Sequence, residues 1–141
     1  MNARTFVDTN VLVYAFDFGS PLKRERARSV LFRLASEGAI VLSAQVLQEF
    51  YVTTTRKLVP PLSPEDAEAV VQRYAGLPLV TADAELVLAA IRTCRRYQIS
   101  LWDALILRSA IAAGCQVVLS EDLQDGLQVE SVRVENPFAD Q

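Results

Sequence analysis

Short apolar runs and helical stretches take turns along this chain, and that alternation limits its fold more than any other feature. Strand-like runs fall at residues 4–7, 39–42, 77–80, 116–119 and 131–134. The stretches between them carry helix punctuation. Ser20-Pro21 reads as an N-cap followed by proline at the first helical position, opening a helix that ends near Gly38. Ser43 caps a second helix to about Lys57, where "VPPL" breaks the chain. "SPED" at residues 63–66 restarts it as a capping box with acids in the first turn. Asp83 or Thr81 opens a helix to about Tyr97, and Ser100 opens another to about Ala113 that Gly114 closes. Strands that alternate with helices pair in parallel through crossovers. The expected fold is therefore a three-layer α/β/α sandwich around a central, mostly parallel sheet. At 141 residues the chain reads as a single domain, residues 1–141, large enough to bury a real core.

In such a sheet, ligands bind beyond the carboxyl ends of the strands, near the point where strand order reverses. Asp8 ends the first strand in "RTFVDTNVLVYAFD", an ionisable group between two apolar runs. A carboxylate in that position is costly unless a cation answers it. Asp122 lies just past "QVVLS", at the end of another strand, so both belong on one rim. Two helix-borne acids join them. Glu49 sits in "SAQVLQEFYVTTTRK". Asp103 sits in the first turn of "SLWDALILRSAIAAG", a helix apolar nearly all round and hence buried.

Each acid also has a bland reading. Asp103 could complete a capping box with Ser100, and Asp122 could be a turn residue. Glu49 could be solvated, and Asp8 could cap the helix that follows it. Glu65, Asp66 and Glu68 are explained by helix electrostatics and are left out. Four acids embedded in apolar sequence are harder to explain this way, because clustered carboxylates repel unless protonated or bound to cations.

The chain has no histidine. Ser-His-Asp and Cys-His catalysis, histidine-based RNA cleavage and histidine metal ligation are therefore excluded. All-oxygen sites suit Mg2+ or Mn2+, and such sites serve phosphoryl chemistry. Cys94 and Cys115 are too isolated for a zinc site and read as small buried hydrophobes. No apolar run approaches the roughly 20 residues of a membrane span, and the N-terminus lacks a signal-peptide pattern. A cytoplasmic protein with no membrane partner is expected.

Net charge is −3, from 14 basic and 17 acidic residues. With the four candidate acids set aside, 13 acids face 14 bases, a nearly neutral remainder. The bases are grouped in "KRERAR" (residues 23–28), "RK" (56–57) and "RTCRR" (92–96). Any one group could be an ordinary solvated helix face; together they offer candidates for an RNA-binding surface.

"FVDTNVLVYAFD", "SAQVLQEFY", "SLWDALI" and "VLSEDLQDG" resemble, in order and spacing, the four acidic motifs of PIN-domain ribonucleases. The likeness is nearest to the VapC toxins of bacterial type II toxin–antitoxin modules and spans nearly the whole chain. It implies the sandwich fold reached above. It also implies that Asp8, Glu49, Asp103 and Asp122 are the catalytic and metal-binding acids, with Asp122 at the family's least constant position. Asn10 matches the family's Asp-x-Asn, and Ser120 the hydroxyl two positions before the last acid. Asp125 matches either a second acid of the last motif or the "QDG" turn. Glu121 is expected to point away and be solvated, and Asp17 to be a turn or surface residue. The implied chemistry is metal-dependent hydrolysis of an RNA phosphodiester (transfer or ribosomal RNA) by water, leaving a 5′-phosphate and a 3′-hydroxyl. The implied partners are a second copy of the chain and a cognate antitoxin, seated in a groove lined by residues 31–51. Arg24, Arg28, Arg56 and Lys57 are the suggested RNA contacts.

Two other readings compete. A HAD-like phosphatase would need Asp at position 10 and a later lysine, but Asn10 stands there and no lysine follows Lys57. A catalytically silent PIN-like module that binds RNA or a partner would be marked by a lost acid, and none of the four is lost.

Overall fold

Thr5, Phe6 and Val7 are buried on both faces, as a strand can be only where a sheet is covered on both sides. In the computed structural model, which describes residues 3–139, they form β1 (Thr5–Val7) inside a six-stranded sheet. On one side lies β2 (Ile40–Ser43), buried throughout, followed by β3 (Leu79–Val80) at the edge. On the other side lies β4 (Val117–Leu119), then β6 (Val132–Glu135), then β5 (Gln128–Val129). All neighbours are parallel except the β5–β6 hairpin at the far edge. The edge strands have two residues each, which leaves little unpaired backbone to recruit another chain.

Helices flank the sheet: α1 (Thr9–Tyr14), α2 (Pro21–Ser36), α3 (Ala44–Arg56), α4 (Pro64–Tyr74), α5 (Ala84–Tyr97) and α6 (Leu101–Ala112). Their starts follow the sequence signals. Ser43, Ser63, Asp83 and Ser100 each accept the backbone N–H three residues on, at 2.9–3.3 Å. Ser20 departs from expectation: it precedes Pro21 at the N-cap position, yet its hydroxyl makes no cap bond. Gly114 ends α6 at φ +73°, a left-handed conformation that a side chain would strain. The interior of α6 is buried from Ala104 to Leu107 and again at Ser109 and Ala110.

Strand bounds differ from the sequence-based expectation by one or two residues: β2 and β6 are each shifted by one, and β3 holds only Leu79 and Val80. The last strand is shifted by one residue, because Glu130 takes a left-handed backbone (φ +50°) and forms a turn with Ser131. β5 was not expected; two residues carry no period, and only the pairing of Val129 with Val132 defines it. Cys115 is buried as expected, but Cys94 is only half-buried on α5.

The chain runs β1, β2, β3 outward to one edge, then returns to place β4 on the opposite flank of β1. That reversal is the topological switch point, where a crevice opens beyond the strand ends. Val7 pairs with Leu119, so Asp8 and Ser120 leave the sheet side by side. The Asp8 N–H donates to the Leu119 carbonyl at 2.9 Å.

Candidate active site

Asp8 is 6 % exposed, at the end of β1 and the start of α1. Both carboxylate oxygens are engaged. Oδ1 accepts from the Thr9 N–H at 2.8 Å, so Asp8 is indeed the cap of the helix that follows. Oδ2 accepts from the Ser120 hydroxyl at 2.8 Å and from Asn10 Nδ2 at 3.2 Å. Burial, with the charges of Glu49 and Asp122 adding to it, pushes the carboxyl from the usual 3.8 up to about 6, against the pull of the Ser120 and Thr9 hydrogen bonds.

Asn10 ties the two strand ends together. Its amide nitrogen also reaches Asp122 Oδ2 at 3.2 Å and Ser120 Oγ at 3.4 Å, while its carbonyl accepts the Glu121 N–H at 3.0 Å. Ser120 is fully buried and accepts the N–H groups of Asp122 (3.1 Å) and Leu123 (3.3 Å). The loop after β4 is therefore folded around one hydroxyl, which presents the Asp122 carboxylate toward Asn10. Glu49 arrives from α3, half-buried, and accepts from the Thr9 hydroxyl at 2.8 Å. Asp103 comes from the first turn of α6. Burial raises its carboxyl above the usual range, and the charge of Asp122 adds to that. Asp8 thus feels Glu49 and Asp122, and Asp103 feels Asp122, which links all four acids in one electrostatic site.

The donors are hard carboxylate oxygens with no nitrogen or sulfur among them, the chemistry of a magnesium or manganese site. As they stand, no three Asp, Glu or Cys side chains among the described residues lie close enough to grip an ion. The set fits such a metal in charge and donor type, with closure left to rotation of half-exposed side chains such as Asp103 and Glu49.

The remaining candidates are scattered. Lys57 lines the cleft beside the acids, about 360 Å³ in volume, with Thr9, Asn10, Asp17 and Asp122. Arg56 is exposed at the end of α3. Arg24 stacks over Phe18 at 4.3 Å, and Arg28 donates to the Ala15 carbonyl at 2.7 Å. Asp125 accepts the Asn136 N–H at 2.9 Å and holds the loop before β5 against the chain beyond β6. Asp17 accepts from the Gly19 N–H at 2.9 Å, a turn contact.

Glu121 corrects an expectation. It is only partly solvated and is paired, accepting from the Tyr14 hydroxyl (2.7 Å) and from Lys23, whose ammonium lies 4.9 Å from the Tyr14 ring centroid. Burial would raise its carboxyl, but the Lys23 and Tyr14 bonds outweigh that and hold it below the usual range. Lys23, Tyr14 and Thr9 therefore buttress the site. Only Thr9, inside the "DTN" motif, carried any local sequence signal for this. The described residues also carry an apolar groove. It lies between α3 and α4, about 710 Å³, lined by Leu47, Tyr51, Val52 and Val71 with polar Gln48 and Glu68 at hand. Of its lining, Leu47, Gln48 and Tyr51 fall within residues 31–51.

The model of the PIN domain matches residues 5–124 of this chain. The chain belongs to the PIN-domain family. No curated protein matches it. Solved structures share the fold of this PIN domain at low identity. A toxin–antitoxin complex from Klebsiella pneumoniae superposes with a TM-score of 0.68 at 16% identity, covering 94% of this chain and 97% of the other. DNA-bound VapBC from Salmonella typhimurium gives 0.66 at 20%, covering 96% and 99%. The sarcin–ricin-loop-cleaving toxin VapC20 from Mycobacterium tuberculosis gives 0.62 at 18%, covering 81% and 86%.

Proposed function

We infer that this PIN domain is a Mg2+- or Mn2+-dependent endoribonuclease that hydrolyses RNA phosphodiesters with water, and that it is the toxin of a type II toxin–antitoxin module. The observation that carries the reading is Asp8: a buried carboxylate at the switch-point crevice, raised to about 6 and in the field of Glu49 and Asp122. Such a group is poised for a cation. A bound divalent metal would polarise a phosphate and make water acidic enough to attack it at neutral pH.

The chain's own residues do the rest. Asp8 and Asp103 would hold the ion, with Glu49 and Asp122 completing the negative set. Asn10 and Ser120 fix the Asp8 carboxylate and tie Asp122 to it, so that little reorganisation is needed as charge builds up. Thr9 donates its hydroxyl to Glu49 and holds it beside the start of α1. Lys57 supplies a cation at the cleft wall for the substrate's phosphates.

The antitoxin partner is supported by the α3/α4 groove and by the fold shared with toxin–antitoxin complexes. A helix presenting apolar side chains at helical spacing would suit that groove. The homodimer and the cytoplasmic location belong to the same reading. No helix among the described residues is long and apolar enough to cross a membrane.

One observation favours the silent binding module instead: no three acids among the described residues already stand within gripping distance of one ion. Incubating the antitoxin-free protein with total transfer RNA and with ribosomes, in Mn2+ or Mg2+ and in EDTA, separates the two. Discrete fragments that require metal and vanish in Asp8→Asn and Asp103→Asn support the nuclease. Cutting that persists in either variant overturns the carboxylate mechanism, and RNA binding without any cutting supports the silent module.

A further inference from the structure

Away from the acidic crevice, a second concavity of about 310 Å³ lies between α5, α6 and the β5–β6 turn, and its charge is the opposite. Arg92, Arg96 and Arg108 line it, against a single acid, Glu130. Arg108 is in an ion pair with Glu130, but neither Arg92 nor Arg96 is in an ion pair among the described residues. The pocket therefore keeps two uncompensated guanidinium charges in a chain whose net charge is −3. Its wall includes Tyr97, whose ring has the Arg96 guanidinium 5.5 Å from its centroid. Guanidinium forks match phosphate oxygens, and an adjoining aromatic face offers a base something to stack on. A small anion would use the charge alone; a single-stranded polynucleotide would use both.

We propose that the Arg92–Arg96–Arg108 pocket is a phosphodiester-binding subsite that holds single-stranded RNA outside the cleavage crevice. The subsite rests on the reading of RNA as the substrate. Arg108 follows Asp103 on the same helix, five residues further on, about 7.5 Å along the axis and about 140° round it, so the pocket lies on another face of α6. A strand whose scissile phosphate reaches Asp103 would reach the pocket with a phosphate several nucleotides away, round the flank of α6. Glu130 acts as a resident counter-ion on Arg108, placed there by its left-handed turn. It lowers the pocket's charge without cancelling it.

The test is the affinity of labelled single-stranded RNA for the full chain in EDTA, where the proposed cleavage chemistry is off, measured as a function of salt. Arg92→Gln/Arg96→Gln is compared with Arg33→Gln/Arg95→Gln, which loses the same charge from exposed positions that do not line the pocket. The pocket variant is expected to bind roughly tenfold more weakly than the control variant. Its log–log salt slope should fall by about 1.4, or 0.7 for each phosphate of a single strand that is no longer neutralised. Glu130→Gln, which frees Arg108, is expected to bind more tightly than the native chain. Equal affinity and slope in the two double variants overturn the subsite, as does a native chain that binds no RNA. Equal competition by free inorganic phosphate at matched ionic strength in native and pocket variant also overturns it. Whether the chain cuts RNA is read in the separate cleavage assay, so loss of the subsite and loss of the nuclease reading are told apart.

Discussion

The Ser120 hydroxyl donates a 2.8 Å hydrogen bond to Asp8 Oδ2, joining residues 112 positions apart across the seam between β1 and β4. The same oxygen accepts the N–H groups of Asp122 and Leu123, so one buried atom fixes both a carboxylate and the loop that presents another. Ser120→Ala would leave Asp8 Oδ2 and two loop amides short of a partner. Loss of a buried hydrogen bond of this kind costs about 1–3 kcal/mol. Chemical denaturation should register that loss, and any metal-dependent cleavage should fall with it. Unchanged stability and activity would mean that water replaces the hydroxyl without consequence.

Asp8 makes the metal-free fold sensitive to pH. Its carboxyl titrates near 3.8 in the unfolded chain and near 6 in the folded one. Between those values the native state holds a proton that the unfolded state has released, so this group's contribution to stability is full below 3.8 and falls as pH rises through 6. The loss amounts to ~3 kcal/mol at neutral pH. Asp8→Asn removes it. In EDTA the variant should therefore unfold at a higher temperature than the native chain at pH 8, with the advantage shrinking below pH 6. A variant that is less stable at every pH would show that the carboxylate is not held against its own repulsion.

Divalent metal should reverse that penalty, and only where Asp8 is ionised. Added Mg2+ or Mn2+ is expected to raise the melting temperature of the native chain at pH 8 and to do so much less at pH 5, where the ion must displace a proton. Asp8→Asn should lose most of the effect. A metal-induced shift of equal size at both pH values would place the ion elsewhere.

The Lys23–Glu121–Tyr14 cluster has short contacts, yet the Lys23 and Glu121 side chains are 33% and 25% exposed. Solvent screens such pairs, so Lys23→Met should cost no more than about 1 kcal/mol. Its larger effect should be on catalysis, through the backbone that joins Glu121 to Asp122. A stability loss several times larger would show that the cluster supports the fold itself.

Phe50 follows Glu49 on α3, is fully buried, and meets Phe16 and Tyr74 edge-to-face at 5.7 and 5.5 Å. Phe50→Ala should cost about 3–5 kcal/mol in thermal or denaturant unfolding. A cost below about 1 kcal/mol would mean that α3 is seated by other contacts.

Several features were legible in the sequence because their causes are local. β1, β2 and β4 are continuous apolar runs, and parallel strands buried on both faces have that composition. The serine and aspartate caps announce α3 to α6, because an unpaired helix N-terminus needs a nearby oxygen. Asp8 stood out because a charge inside an apolar run needs a reason. By contrast, β5 exists only through its pairing with β6, and no pattern within two residues could signal it.

The sequence by itself determined most of the strands and helices and marked Asp8, Asn10, Glu49, Asp103, Ser120 and Asp122 as candidates for the site. Only the tertiary structure decided what those residues touch. The Glu121 bonds to Lys23 and Tyr14, the Asn10 bridge to Asp122, the α4 wall of the groove and the arginine pocket all join parts of the chain far apart in sequence. The reason is physical. Capping and periodicity act over a few residues and are written in adjacent positions, whereas contacts across the sheet depend on strand order and register, which are set by the packing of the whole core.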